Sequence, residues 1–308
     1  MTRPTQLLAL PLLTLTACVS APAPVVDEHA GHAPGATEAS TQLTSSPRHG
    51  EWVTVSTGPG DSVRAWVVYP ERRTKAPVVI VVHEIFGLSP WIRSVADQLA
   101  ADGFLAVAPD LLTTKNIAGS PENPDPQAAR AAISTLSMDD VHRQISAVAR
   151  YAMALPAGAQ RYGIVGFCWG GAVSFEHAVR SPSLGASVVY YGTSPAPARL
   201  TSVRAPVLGL YGSDDARVNA TVPPADSAMK VLGKTYRPVF YEGAGHGFLR
   251  QQDAREGKNL AAAGSAVAET SSRFHPPTRS FILSRPRYPF PAPSPPPPAR
   301  FFPSRASC

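Results

Sequence analysis

Apolar residues in this chain fall into short runs of two periodicities. Val78 to Val82 is an unbroken β-branched run, the pattern of a strand buried on both faces of a parallel sheet. Similar runs recur at Leu105–Ala108, Tyr162–Val165, Ser187–Tyr191, Val207–Tyr211 and Val239–Tyr241. Ahead of them, Trp52–Ser56 and Val63–Tyr69 flank Gly58-Pro59-Gly60-Asp61, which predicts a hairpin. Helical patterns fill the gaps at about 90–102, 126–134, 138–154, 169–180 and 223–233. Strands alternating with helices after an opening hairpin predict one α/β domain, with a mostly parallel central sheet of about eight strands and helices on both faces.

The strand ending at Val165 and the helix starting near Ala172 are joined by Gly166-Phe167-Cys168-Trp169-Gly170-Gly171. A Gly-x-nucleophile-x-Gly turn between strand and helix is the nucleophile elbow of an α/β-hydrolase, here with a thiol at its apex. At a helix N-terminus that thiol is expected to have a lowered pKa, which favours the reactive thiolate. A buried structural cysteine among packing glycines is the alternative. A thiol nucleophile needs a base, a group to orient the base, and oxyanion donors. In hydrolases of this class the acid and then the histidine follow the nucleophile along the chain. Asp214 and Asp215 directly follow the Val207–Tyr211 run, and His246 stands in Gly243-Ala244-Gly245-His246-Gly247-Phe248 after the last run. His177, inside the elbow helix, and His275 are weaker candidates for the base.

Gly-Phe-Cys-Trp-Gly-Gly, Asp215-Ala216-Arg217-Val218 and Gly245-His246-Gly247-Phe248 together resemble the dienelactone hydrolase family over about residues 51–260. The resemblance implies a Cys168–His246–Asp215 triad with no cofactor and no metal. It also selects Asp215 over Asp214. Upstream, His83-Glu84-Ile85-Phe86-Gly87 matches a further family segment. Its glutamate, here Glu84, is expected to hydrogen-bond the resting thiol and to accept its proton when substrate arrives. The amides of Ile85 and Trp169 are the expected oxyanion-hole donors. Arg250, four residues after His246, matches a substrate-binding arginine of the family, and Arg130 is a looser match. The implied reaction opens a small carboxylate-bearing enol-lactone to maleylacetate through a thioester acyl-enzyme. A broader carboxylesterase or thioesterase, or a non-catalytic or frame-disrupted envelope lipoprotein, are the competing readings. The loop Pro121–Pro126 is a candidate substrate-facing segment, with a plain surface loop as the alternative.

The ends of the chain have a different character. Arg3, an apolar stretch from Leu7 to Leu15 and then Leu15-Thr16-Ala17-Cys18 resemble a lipoprotein-type signal peptide over residues 1–18, with Cys18 as the lipidated residue. An ordinary secretory signal is the alternative. The lipoprotein reading predicts a protein of the bacterial cell envelope, in the periplasm or at the outer membrane, held to the membrane by an N-terminal lipid anchor. Residues 19–49, rich in Ala, Pro, Ser, Thr and Gly, are expected to be a flexible tether, with His29 and His32 solvated in it. The folded domain is expected over 50–263 and to be monomeric. Residues 264–308 are expected to be a Pro/Arg/Ser-rich disordered tail, its native helix replaced through a reading-frame change near 264–270. The net charge of +6 also belongs to that end, because six arginines and no Asp or Glu follow Glu269. Residues 1–269 are therefore neutral overall, which gives no support for a nucleic-acid-binding core. The three cysteines, Cys18, Cys168 and Cys308, match no disulfide framework or metal-ligand spacing.

Overall fold

The structure, a computed structural model, describes residues 34–275. Ten strands occur in chain order: β1 (Gly50–Gly58), β2 (Asp61–Val68), β3 (Ala76–Val82), β4 (Leu105–Asp110), β5 (Gly119–Ser120), β6 (Asn123–Pro124), β7 (Gly158–Phe167), β8 (Ala186–Tyr190), β9 (Val207–Gly212) and β10 (Tyr236–Tyr241). The helices are α1 (Ala39–Ser45), α2 (Pro90–Ala101), α3 (Pro126–Ile133), α4 (Met138–Ala154), α5 (Trp169–Arg180), α6 (Ala216–Asn219), α7 (Val222–Val231) and α8 (Lys258–Phe274). Eight strands form one sheet in the order β1-β2-β4-β3-β7-β8-β9-β10, while β5 and β6 make a separate small hairpin. β2 runs antiparallel to both neighbours, and every pairing from β4 to β10 is parallel.

Burial on both faces explains the unbroken apolar runs. Along β3, Val78, Ile80 and Val82 enter the core beneath α4, α5 and α7. Val79 and Val81 enter the opposite core, beneath α2 and α8. β9 divides in the same way, with Val207 and Tyr211 on one side and Leu208 and Leu210 on the other. Each strand alternates normally, but both alternate sets are apolar because helices cover both faces. β10, at the sheet edge, accommodates Pro238.

Two expected boundaries are corrected. α8 does not break near residue 264 but continues to Phe274. Its buried face is Asn259, Ala262, Ala263, Ala266, Val267, Thr270 and Phe274, a spacing of three and four that lies against the sheet. Three of these seven residues are alanine and two are polar, so the face helps the helix form and approach closely without a strong apolar signal in the sequence. The helix placed in doubt by the frame-change idea is thus supplied by residues 258–274, and residues 276–308 lie outside the described residues.

The second correction concerns the tether, whose residues 34–49 are folded against the domain. Ala39 on α1 is buried, Trp91 Nε1 donates to Pro34 O (3.1 Å), and Ala36 N donates to Arg250 O (2.9 Å). Buried Asp97 demands a cation, and Arg48 supplies it at 2.5 Å with Ser46 Oγ adding a 2.6 Å hydrogen bond. A buried carboxylate without such partners would be costly, and composition alone does not reveal that demand. Cys18, His29, His32 and the rest of residues 1–33 lie outside the described residues.

The end of α8 can be tested directly. The Phe274 ring lies against Gly163, where a Cβ would collide with it, and meets Phe104 edge-on. Phe274→Ala is expected to cost about 3 kcal/mol in urea unfolding. A loss below about 0.5 kcal/mol would show that the helix end is not packed there.

Candidate active site

Cys168 sits at the turn between β7 and α5 with φ 55° and ψ −115°, a region that a residue with a side chain rarely occupies. Glycines around it let main chain pass main chain. A Cβ on Gly166 would strike Gly170 O, one on Gly170 would strike Val82 O and His83 O, and one on Gly171 would strike Tyr190 O. Gly192, after β8, is held equally tightly against Gly171 and Ala172. Cys168 N donates to Tyr190 O (3.0 Å), and Cys168 O accepts from Ala172 N (3.2 Å) as α5 begins.

His246 and Asp215 arrive on the loops after β10 and β9. Asp214 N donates to Ala244 O (3.1 Å), Ser213 N to Tyr241 O (2.9 Å), and Gly243 N to Ser213 Oγ (2.8 Å), so the two loops are tied together. α8 holds the histidine loop from the other side, because buried Asn259 accepts from Gly245 N at 3.1 Å and donates to Gln251 O at 2.7 Å. The positive φ of Gly243 (69°) and Gly247 (75°) makes the turn around His246 and explains two of the glycines flanking it. The result is a continuous chain: Asp215 Oδ2 lies 2.5 Å from His246 Nδ1, and His246 Nε2 lies 3.1 Å from Cys168 Sγ. The other Asp215 oxygen accepts from Val218 N (3.4 Å), whereas Asp214 is engaged by Arg255.

Glu84 follows β3 and is buried, with its carboxylate 2.8 Å from Arg250 Nε. Burial raises its pKa to about 7, with Arg250 pulling in the opposite direction. Its carboxylate is turned to Arg250, and it makes no hydrogen bond to the thiol among the described residues. The expected lowering of the Cys168 pKa is also corrected. Burial, and then the charge of Glu84, push the thiol up to about 11, and these outweigh the hydrogen bond from the Trp169 amide and the charge of Arg217. At neutral pH only about one thiol in ten thousand is ionised at such a value.

The Ile85 N–H has no acceptor among the described residues. The side chains of Ile85 and Trp169 pack with Leu112, Ile117, Ala129 and Ile133, so the segment containing β5, β6 and α3 covers the two amide-bearing residues. Arg250 stacks over the Phe86 ring at 4.8 Å. Arg130 is not brought to this cluster; it is exposed in the last turn of α3, which turns Ala129 and Ile133 inward instead. His177 is also away from it, buried with His142 (Nδ1 to Nδ1, 3.1 Å) and Tyr162 (3.0 Å), and His275 caps α8.

Tyr191 was not legible in advance. It is fully buried at φ 38°, its hydroxyl has no partner, and its ring meets His246 edge-on at 5.2 Å. Burial first, and then the charges of Glu84 and Cys168, hold its pKa far above the usual tyrosine range. The only sequence signal was its place at the end of an apolar run, just before Gly192.

Eight strands in this order, with a strained elbow after β7 and loops after β9 and β10 converging on it, define an α/β-hydrolase. The chain belongs to the dienelactone hydrolase family, whose model matches residues 63–276, and it is therefore grouped with carboxylic ester hydrolases. A Salmonella typhimurium protein assigned the name carboxymethylenebutenolidase is 33% identical over 218 residues, covering 66% of this chain and 79% of the relative. A Bradyrhizobium protein assigned as a 2-oxo-3-(5-oxofuran-2-ylidene)propanoate lactonase is 31% identical over 233 residues, covering 71% and 91%. Among solved structures, one from Klebsiella pneumoniae assigned to the dienelactone hydrolases superposes with a TM-score of 0.65 at 29% identity, covering 74% of this chain and 98% of the other.

The position of Glu84 makes a prediction about the resting thiol. Alkylation of Cys168 by iodoacetamide should rise with pH to a midpoint near 11. In Glu84→Gln that midpoint should fall, because a negative charge opposing ionisation has been removed. An unchanged or higher midpoint would contradict this electrostatic account.

Proposed function

We propose that this protein hydrolyses a small, carboxylate-bearing lactone or ester by covalent catalysis at Cys168. The observation that carries this reading is the unbroken Asp215–His246–Cys168 chain, mounted on a strained strand-to-helix turn. Both named relatives reported above carry the names of lactone-opening enzymes, and each of those names describes a lactone bearing a carboxylate.

The steps follow from the residues' chemistry. The resting site holds a protonated thiol and a buried carboxylate whose pKa is about 7. Substrate, on entering, engages Arg250 and releases Glu84, which accepts the Sγ proton. The sulfur then attacks the lactone carbonyl carbon, and the carbonyl π electrons move to oxygen. The Ile85 and Trp169 amides hold the oxyanion, stabilising it by a few kcal/mol each. Collapse breaks the ring C–O bond, expels an enolate, and leaves a thioester on Cys168. Water attacks this thioester as His246 Nε2 takes its proton, with Asp215 stabilising the imidazolium that forms. Expulsion of sulfur releases the acid, and proton return restores the thiol. Arg130 has no part in this scheme because of its place on α3.

Hydrolysis of dienelactone and of p-nitrophenyl acetate tests the reading. Cys168→Ala is expected to lower kcat/KM on both by at least about a thousandfold, with the urea midpoint unchanged. Turnover of the ester alone would favour a broader carboxylesterase, and Cys168-independent turnover would contradict both enzymatic readings.

We further propose that Cys18 is lipidated and that the catalytic domain is held at the cell envelope. Cys18→Ser is expected to move the expressed protein from the membrane fraction to the soluble one. Unchanged fractionation would contradict the anchor.

A further inference from the structure

The charged groups around Cys168 do not pair off evenly. Glu84 takes Arg250 at 2.8 Å, Asp214 takes Arg255, and Asp215 takes His246 at 2.5 Å. Arg217 is left over. It lies on α6, two residues beyond Asp215, is exposed to solvent, and makes no ion pair among the described residues. Successive positions on a helix rise about 1.5 Å each, so its backbone stays close to the residue that orients His246. Its charge also reaches the thiol, where it favours ionisation.

Arg250 is differently placed. Its guanidinium lies against a buried carboxylate and the Phe86 ring, so an incoming anion must compete with Glu84 for it. An exposed cation with no acidic partner has no such competitor. A planar guanidinium accepts a carboxylate through two parallel hydrogen bonds. The two arginines therefore differ in availability in the resting state.

We infer that Arg217 is the specificity-determining residue that first captures the carboxylate of an anionic substrate at the rim of the site. The inference rests on the carboxylate-bearing substrate class proposed above. It divides the anion's path into capture at exposed Arg217 and then displacement of Glu84 from Arg250. It also explains why a cation stands unpaired beside the site, since a paired one would have to be freed first.

The test uses full-length protein and its Arg217→Gln and Arg217→Lys variants, with two independent readouts. In steady state, Arg217→Gln should raise KM for dienelactone about tenfold with kcat little changed, the loss expected for one charge-assisted contact. Neutral p-nitrophenyl acetate should lose much less, only what the missing charge beside the thiol removes, and Arg217→Lys should retain most of the affinity for the anion. The second readout does not depend on turnover: the rate of Cys168 alkylation by iodoacetate divided by that by iodoacetamide, followed on the Cys168 peptide. Both reagents need the same thiolate, so the ratio reports attraction of the anion alone. It should fall severalfold in Arg217→Gln and rise again at low salt only when residue 217 is cationic. Equal losses on the anionic and neutral substrates, or an unchanged alkylation ratio, would overturn the assignment. If the unsubstituted protein fails to open dienelactone, the proposed substrate class fails, and the alkylation ratio still decides the role of Arg217.

Discussion

Cys168 is held at φ 55° by backbone packed directly on backbone, and the rest of the site takes its position from that contact. Val82 and His83 at the end of β3, Tyr190 at the end of β8 and the first turn of α5 converge where Gly166, Gly170, Gly171 and Gly192 leave no room for side chains. A non-glycine residue in this conformation costs of order 1–3 kcal/mol. That cost is offset by the Cys168 N–H bond to Tyr190 and by the buried sheet around it. The same contact places the Trp169 amide next to the sulfur, and the Ile85 and Trp169 side chains pack against one apolar cluster.

Electrostatics give the site a protonated resting state. Burial is the main cause for both Glu84 and Cys168, and it opposes charge on each. The carboxylate at about 7 and the thiol at about 11 are four decades apart, so the proton stays on sulfur until the surroundings change. This arrangement also limits oxidation of the thiol. The thiolate is the form that oxidises, and a thiol held this high exposes very little of it between turnovers.

The fold was largely legible because both-face burial writes itself into the sequence as unbroken β-branched runs, as in β3 and β9. Cys168, Asp215 and His246 were legible as chemistry-bearing residues at strand ends, where the structure brings them into one hydrogen-bonded chain. What escaped was written in weaker signals. The buried face of α8 is made largely of alanine and polar residues, and residues 34–49 hold on through main-chain bonds and the demand of one buried carboxylate, Asp97. Arg130 is only a loose match to the family, and α3 turns it to solvent. The thiol pKa went the other way from expectation because a helix N-terminus is a weaker influence here than desolvation and the charge of Glu84.

The central claim is that the Cys168 sulfur becomes acylated. Mixing the His246→Gln variant with dienelactone, whose carboxylate can displace Glu84 from Arg250, then quenching in acid and mapping the peptides by mass spectrometry measures this directly. The expected result is a stoichiometric burst of ring opening and one lactone-derived acyl group on Cys168, stable because the base needed for deacylation is missing. A burst with the acyl group elsewhere, or hydrolysis with no modification of Cys168 at any time, would contradict it.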